Sequence, residues 1–239
     1  MGKVYVQSGD FEVPKGVSQV KVFAIGGGAG GGSGGQGGGG SGYWKCEVLS
    51  VNEKQVIQIR LGKGGAPGHN GENTLFGNLL LAEGGYTANG TNGGNGGSGG
   101  GAGSPLGLKN AGNGGSQGRD GKDVETSKGG IGQKDWFKQW QCNNFTINRF
   151  SNGYYGTGAS RDPACAATGG GGGGGGARIN GANFQAGFGK MSICGGQGGV
   201  GFGAGGGAGG TLVNMTDADG GQGADGLVYI EYGDEFLIQ

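Results

Sequence analysis

Glycine recurs at every third position in several separate tracts of this chain. One tract places the period at Gly28, Gly31, Gly34, Gly37 and Gly40. A repeat of three residues matches the polyproline II helix, which has three residues per turn and a rise of ~3.1 Å. Because only glycine lets a neighbouring backbone approach closely, the pattern predicts straight polyglycine II rods packed against one another.

Two other interpretations of glycine tracts are less consistent with the sequence. Collagen requires an unbroken period and much proline, whereas this chain has only four prolines and its tracts are interrupted. A single tract could be a flexible linker, but repeated tracts separated by apolar segments favour a packed bundle. A polyglycine rod has no internal hydrogen bonds, so neighbouring rods must supply them, at a net ~0.5–1.5 kcal/mol each.

Composition and charge exclude several classes of protein. Glycine supplies 72 of 239 residues, which argues against an ordinary enzyme core, and 17 basic residues balance 17 acidic ones. That balance argues against a nucleic-acid-binding face and a polybasic membrane patch. The first ten residues lack the apolar stretch of a signal peptide, and no apolar run reaches about 18 residues. We therefore expect synthesis in the cytoplasm and no membrane insertion.

The segments between the glycine tracts have the composition of β-strands. Apolar and polar residues alternate around Val20 and Val22, and the C-terminal LVYIEYG resembles a half-buried strand. We expect one hairpin across residues 52–54 and another with a two-residue turn at Gly77 and Asn78. The sequence thus predicts a single glycine-rich domain, residues 1–239, in which a β-sandwich supports the rods. The predicted strands lie in residues 3–25, 43–61, 74–82, 191–194, 211–215 and 227–233. The predicted polyglycine II tracts are residues 26–42, 62–71, 84–121, 169–176, 195–210 and 220–226.

Residues 122–168 form a predicted loop region that is rich in aromatic residues. Exposed tryptophan and tyrosine are common in binding sites because they offer a large contact area at a low entropic cost. A local core or an oligomer interface is an equally good interpretation in a chain so poor in apolar residues. If the region binds a receptor, the candidate residues are Trp136, Trp140, Asn143, Asn144, Arg149, Asn152, Tyr154 and Tyr155.

Catalysis, metal binding and cofactor binding have little support in the sequence. His69 is the sole histidine, and a solvated turn histidine is a better interpretation than a catalytic one. Asp217, Asp219 and Asp225 resemble part of a calcium loop but lack its closing glutamate. The four cysteines are far apart and form no CxxC pair, which argues against a zinc or redox site. Buried free thiols are favoured over a disulfide, and Cys142 with Cys165 is the pair to test for one. We expect no catalytic residue, no metal and no cofactor.

Several segments resemble a known family. In order along the chain, FEVPKGVSQVKVFAIGGG, GYWKCEVLSVNEKQVIQIRLGKGGAPG, ENTLFGNLLLAEGG and GADGLVYIEY are similar to the glycine-rich domain of bacteriophage tail-fibre and adhesin proteins. They resemble more distantly the glycine-rich ectodomain of anaplastic lymphoma kinase-type receptors. The resemblance implies an all-β, jelly-roll-like β-sandwich with a packed bundle of polyproline or polyglycine II helices and very little α-helix. It also implies association with other tail-fibre subunits, with a homotrimer favoured by analogy.

Two functions from different classes follow from these expectations. The first is a non-enzymatic receptor-binding protein at the tip of a phage tail fibre, whose loops bind a host lipopolysaccharide or outer-membrane protein. The second is a structural fibre or decoration subunit of the virion with no receptor-binding role. Ice binding through flat rod faces is a weaker third possibility, because the residues between the glycines do not form a regular array.

Overall fold

The computed structural model describes residues 1–104, 111–115, 118–134, 201–209 and 219–233. Within these ranges the regular secondary structure consists of β-strands, with no helix, which confirms the all-β prediction. The strands are β1 (Gly2–Tyr5), β2 (Gly9–Glu12), β3 (Gln19–Ile25), β4 (Trp44–Ser50), β5 (Val56–Arg60), β6 (Thr74–Phe76), β7 (Leu80–Ala82) and β8 (Leu227–Glu231).

The strands form two antiparallel sheets of four strands each. The first sheet has the order β1-β8-β3-β4, and the second has the order β2-β5-β6-β7. In the first sheet Ile25 of β3 pairs with both Trp44 and Leu227. The strand closest to the C-terminus therefore lies in the middle of its sheet, between β1 and β3.

The main core lies between the two sheets. Alternate residues of β3, such as Val20 and Val22, meet Phe11, Ile57 and Phe76 of the second sheet, and all five are buried. The Phe11 and Phe76 rings lie 6.1 Å apart in a tilted arrangement. Burial of such side chains is the main source of stability that the chain has, because its glycine tracts add almost no apolar surface.

The opposite face of the first sheet carries a second apolar cluster. Phe23, Trp44, Leu227 and Tyr229 project from this face and are nearly fully buried. Among the described residues of the cluster, Phe202 alone comes from outside the sheet and its flanking residues. The first sheet is thus apolar on both faces, which explains why β8 is buried along four of its five residues.

The glycine tracts extend from one end of the sandwich. They begin where β3, β5 and β7 end, and they return where β4, β6 and β8 begin. Each tract contains straight segments, which we call rods, that run away from the sandwich and back. The pairing of Ile25 with Trp44 and Leu227 sets the starting register of neighbouring rods.

Rod 26–32 shows how the bundle is held together. It donates backbone hydrogen bonds to three other segments and accepts them from three more, at distances of 2.8–3.1 Å, so it has six neighbours. The N–H groups of every third residue donate to carbonyl groups of the same neighbour. Residues 28 and 31 donate to residues 224 and 221, and residues 27 and 30 donate to residues 72 and 69. Residues 26, 29 and 32 donate to residues 43, 40 and 37. This period is the one expected for polyglycine II.

At many of its glycine positions the bundle has no space for a side chain, although small side chains such as Ala29 and Ser41 are buried elsewhere in it. A Cβ atom added to Gly28 would collide with the backbone carbonyl of Ala204, and one added to Gly31 would collide with that of Gly207. The colliding atoms belong to neighbouring backbones that are themselves hydrogen-bonded. The glycine period therefore reflects a direct backbone-to-backbone approach.

Three local expectations differ from the structure. The chain does turn at residues 52–55, where Gln55 N–H donates to the Asn52 carbonyl at 3.1 Å, but the predicted hairpin is wrong because β4 and β5 belong to different sheets. The hairpin of β6 and β7 is present, with three loop residues instead of two. Strand β8 was expected to be half-buried, but it is buried on both sides because it is central in its sheet.

Candidate functional site

Turns that join outgoing and returning rods gather at the far end of the bundle. They lie at residues 33–36, 66–69, 89–92 and 124–127, and each is closed by a backbone hydrogen bond of 2.9–3.1 Å. Glycines with positive φ, such as Gly34, Gly68 and Gly90, allow the chain to reverse there. We call these four turns the distal turns.

Contacts between rods hold the distal turns next to one another. Gly68 N–H donates to the Gly31 carbonyl at 2.9 Å, which places turn 66–69 beside turn 33–36. The Ser127 hydroxyl donates to the Thr91 hydroxyl at 2.8 Å, which joins turns 124–127 and 89–92. Gly37 N–H donates to the Gly90 carbonyl at 3.0 Å, which joins these two pairs of turns. The distal turns therefore form one surface, whose exposed side chains include His69, Asn89 and Thr126.

The first and last described residues lie at the other end of the molecule. Gly2 pairs with Glu231, and the backbone N–H of Tyr232 donates to the Met1 carbonyl at 2.9 Å. This pairing is at the end of β8 that is farther from the rods, because Leu227 adjoins the bundle. The distal turns thus point away from residues 1 and 233.

Asparagine and aspartate side chains complete the hydrogen bonds of several rods at the bundle surface. The side-chain oxygens of Asn70 and Asn73 accept from Thr87 and Gly84 at 2.8 and 3.0 Å. Asn92 and Asn95 do the same for residues 128 and 131, and Asp120 and Asp123 for residues 132 and 129, at 2.7–2.8 Å. Each pair is spaced by three residues, so one face of a rod presents both side chains to the same neighbour.

Sequence reasoning missed these side-chain ladders. The sequence does contain a signal for them, namely asparagine or aspartate at a spacing of three beside a glycine tract. Residues 122–134, expected to begin the aromatic loop region, also belong in part to the bundle. Within them, Lys122 and Lys128 take part in backbone bonds with Asn113 and Gly93.

Asp123 is the residue of these ladders with the clearest electrostatic role. Its Oδ2 lies 2.8 Å from Lys128 Nζ, and its Oδ1 accepts from Gly129 N–H at 2.8 Å. The hydrogen bond from Lys128, and then that from Gly129, hold the pKa of Asp123 below its ordinary value of 3.8. Because the folded state favours the ionised carboxylate, its stabilising contribution is present above pH 3.8 and is lost as the pH falls through the lowered pKa.

We expect acidification below pH 3.8 to loosen the contact between Asp123 and Gly129. The protection factor of the Gly129 amide, obtained by NMR from its hydrogen exchange relative to the intrinsic rate at each pH, should fall as Asp123 becomes protonated. An Asp123→Asn variant keeps an oxygen acceptor but does not titrate, so the exchange of its Gly129 amide should lack this step. Identical pH profiles in the two proteins would contradict the assigned role of Asp123.

The aromatic residues predicted to bind a receptor lie outside the described residues. This holds for Trp136, Trp140, Asn143, Asn144, Arg149, Asn152, Tyr154 and Tyr155, and also for Cys142 and Cys165. The described residues on either side lie near the sandwich. The Gln133 side-chain amide donates to the Trp44 carbonyl at 3.0 Å and accepts from the Trp44 N–H at 3.1 Å. Phe202 packs in the second apolar cluster.

Of the polar residues considered for catalysis or metal binding, His69 and Asp225 make contacts within the protein, Asp219 is exposed, and Asp217 lies outside the described residues. His69 is exposed in a distal turn, with Nδ1 2.9 Å from the Pro67 carbonyl oxygen. Asp225 accepts from Gly64 N–H at 2.9 Å and lies 2.7 Å from Lys63 Nζ, and this hydrogen-bonded ion pair raises the pKa of Lys63. The described ranges contain no group of three or more His, Cys, Asp or Glu residues that could hold a metal ion.

Comparison with known proteins assigns the chain to a family. The sequence profile of the glycine-rich domain family matches residues 6–233, so this protein belongs to that family. No curated protein is similar enough in sequence to count as a relative. In the part of the chain that the structure describes, no helix is long and apolar enough to cross a lipid bilayer.

Proposed function

We propose that this glycine-rich domain is a non-enzymatic adhesin at the tip of a bacteriophage tail fibre. The observation that carries the proposal is the common surface formed by the distal turns, at the end of the bundle opposite residues 1 and 233. A rigid support that presents exposed loops on one surface is the usual arrangement of a binding protein. The ligand is a receptor on the host cell, either a glycan or an outer-membrane protein.

The rod bundle supplies the rigidity that such a role requires. Rod 26–32 is fixed by hydrogen bonds to six neighbours, so the distal turns are held in place before a ligand arrives. A preorganised surface loses less conformational entropy on binding than flexible loops would. The aromatic residues from Trp136 to Tyr155 remain a second candidate surface on the same protein.

The same rigidity favours the alternative of a structural subunit. A bundle stiffened by backbone hydrogen bonds could serve as part of a fibre shaft or as a virion decoration without contacting a receptor. In both cases the partners are other fibre subunits and further copies of this chain, with a trimer favoured, and the protein is located in the virion.

Binding of the purified protein to intact host cells tests the proposal. We expect saturable binding that falls at least about tenfold in one of two variants, His69→Ala/Asn89→Ala/Thr126→Ala at the distal turns or Trp136→Ala/Trp140→Ala in the aromatic segment. Val56→Ala is the matched control, because Val56 is exposed at the end of β5 that points away from the distal turns.

The pattern of loss separates the possible outcomes. Loss in the first variant assigns the receptor contact to the distal turns, and loss in the second assigns it to the aromatic segment. Absence of saturable binding to host cells, together with a stable oligomer in solution, would contradict the adhesin and favour the structural subunit.

A further inference from the structure

A groove on the side of the bundle lies close to the sandwich. It runs between the returning rod at residues 70–73 and the segment at residues 81–86, and its volume is about 360 Å³. This volume falls at the lower end of the range for small-ligand sites. The groove is lined by Asn70, Gly71, Asn73, Leu81, Glu83, Gly84, Gly85 and Tyr86.

The apolar part of the groove consists of two large side chains that are exposed to solvent. Tyr86 keeps 47% of its surface exposed and Leu81 keeps 38%, although both are large side chains. The Tyr86 ring meets the Tyr43 ring edge-on, at 76° and a centroid distance of 6.3 Å, which supports it from one side. An exposed aromatic ring that is held by a second ring is a preorganised platform for the C–H groups of a ligand, because the face of the ring is electronegative.

The polar part of the groove has fixed hydrogen-bonding directions. The Asn70 and Asn73 side-chain oxygens already accept backbone N–H groups at 2.8 and 3.0 Å. Their NH2 groups are therefore the atoms left to bind a ligand, and within the described ranges neither NH2 group donates to a protein acceptor. Glu83 is exposed and supplies acceptor oxygens to the same groove.

The floor of the groove does not suit a peptide. The backbone N–H groups of Gly71, Gly84 and Gly85 all donate within the protein, at 2.9–3.0 Å. These three glycines therefore offer no free N–H group to an added strand. The lining contains one carboxylate and no cationic side chain, so an anionic ligand would be repelled.

We propose that this groove binds a neutral saccharide unit. Such a unit presents C–H groups on one face, which fit Tyr86 and Leu81, and hydroxyl groups at its edge, which can accept from the two amides and donate to Glu83. Burial, followed by the nearby Tyr86 and Glu83, raises the pKa of Tyr43 further above neutral pH. The inference rests on the proposed function for the source of the saccharide, which is a host surface glycan.

NMR titration of the isotopically labelled protein with methyl glycosides of glucose, galactose, mannose and N-acetylglucosamine tests the proposal. We expect at least one glycoside to cause saturable shifts of the Asn70 and Asn73 side-chain amides and of the Tyr86 backbone amide. Tyr86→Ala should weaken binding by about tenfold or more. Tyr86→Phe should bind nearly normally, because it keeps the ring.

The control variant is Ile131→Ala, which removes an exposed side chain elsewhere on the bundle and should not alter binding. Absence of saturable shifts with every glycoside, or equal affinity of the wild type and Tyr86→Ala, would overturn the proposal. The saccharide could come from lipopolysaccharide or from capsular polysaccharide of the host. Binding of the same variants to each purified polymer would distinguish these two sources.

Cell binding measured in parallel separates this proposal from the adhesin itself. If cells are bound saturably but Tyr86→Ala binds them normally and no glycoside shifts the groove, the groove assignment fails and the adhesin stands. If a glycoside binds the groove but cells are not bound, the saccharide site stands and the adhesin fails.

Discussion

Replacing Gly28 with alanine should unfold the rod bundle. The added Cβ would lie far inside contact distance of the Ala204 carbonyl, and within 2.7 Å of the Gly203 carbonyl oxygen. Gly28 cannot move aside, because its N–H donates to Ala224 at 2.9 Å and its carbonyl accepts from Gly65 at 2.8 Å. We expect a loss greater than the ~1–3 kcal/mol typical of overpacked cores, since the colliding atoms belong to backbone.

Gly9→Ala is the matched control for this substitution. Gly9 lies in strand β2, and a Cβ there would have Tyr5 Cε1 as its nearest neighbour, at 4.0 Å. At a site without strain, glycine to alanine reduces the entropy of the unfolded chain and stabilises by ~0.4–1 kcal/mol. The two substitutions should therefore have opposite signs in urea denaturation. Equal midpoints would show that close backbone packing does not stabilise the bundle.

Replacing Phe76 with alanine should destabilise the whole domain by ~3–5 kcal/mol. Phe76 is fully buried in the sandwich core, and its ring lies beside that of Phe11 from the same sheet. The loss combines the removal of apolar burial with the cavity that remains. For a chain of this length the effect corresponds to a fall in Tm on the order of 10 °C.

The consequence of this substitution should extend into the rods. The sandwich holds the main apolar core, and the rods start from its strands, so both parts should melt in one transition. Val56→Ala is the control, because Val56 is 62% exposed and its truncation should change stability little. Calorimetry that shows the rods melting separately from the sandwich would contradict this coupling.

Much of the fold could be anticipated from the sequence. The apolar runs around Val20 and Ile57 became strands, as their alternation indicates. The alternation in β5 fits a sheet with one face in a core, whereas β3 is buried on both faces from Val22 to Ile25. The glycine period predicted rods because a residue without a Cβ is required wherever two backbones meet. Rod 26–32 has this geometry.

The order of the strands in the sheets was harder to anticipate. Residues 52–54 have the composition of a hairpin turn. However, β4 pairs with β3, to which it is connected by two long rods, and β5 pairs with β2. Local turn signals do not reveal such pairing, since it depends on which strands share a buried face. The burial of β8 likewise follows from its central place in the sheet.

The candidate sites also differ in whether the sequence alone reveals them. The aromatic segment was visible in the sequence as a local cluster, whereas the distal turns became a single surface only through the packing of rods far apart in sequence. The groove at Tyr86 also depends on tertiary structure, because residues 70–73 and 81–86 are brought together by Asn side chains that bond to a neighbouring rod.

The amino-acid sequence by itself determined where the backbone can approach another backbone, through the period of its glycines, and where it can form a core, through its apolar strands. The tertiary structure alone decided which rods are neighbours, and hence which turns and side chains share a surface. The physical reason is that a polyglycine II rod has no internal hydrogen bonds, so its backbone groups bond to residues outside the rod. Its partners are therefore set by the assembly of the whole domain.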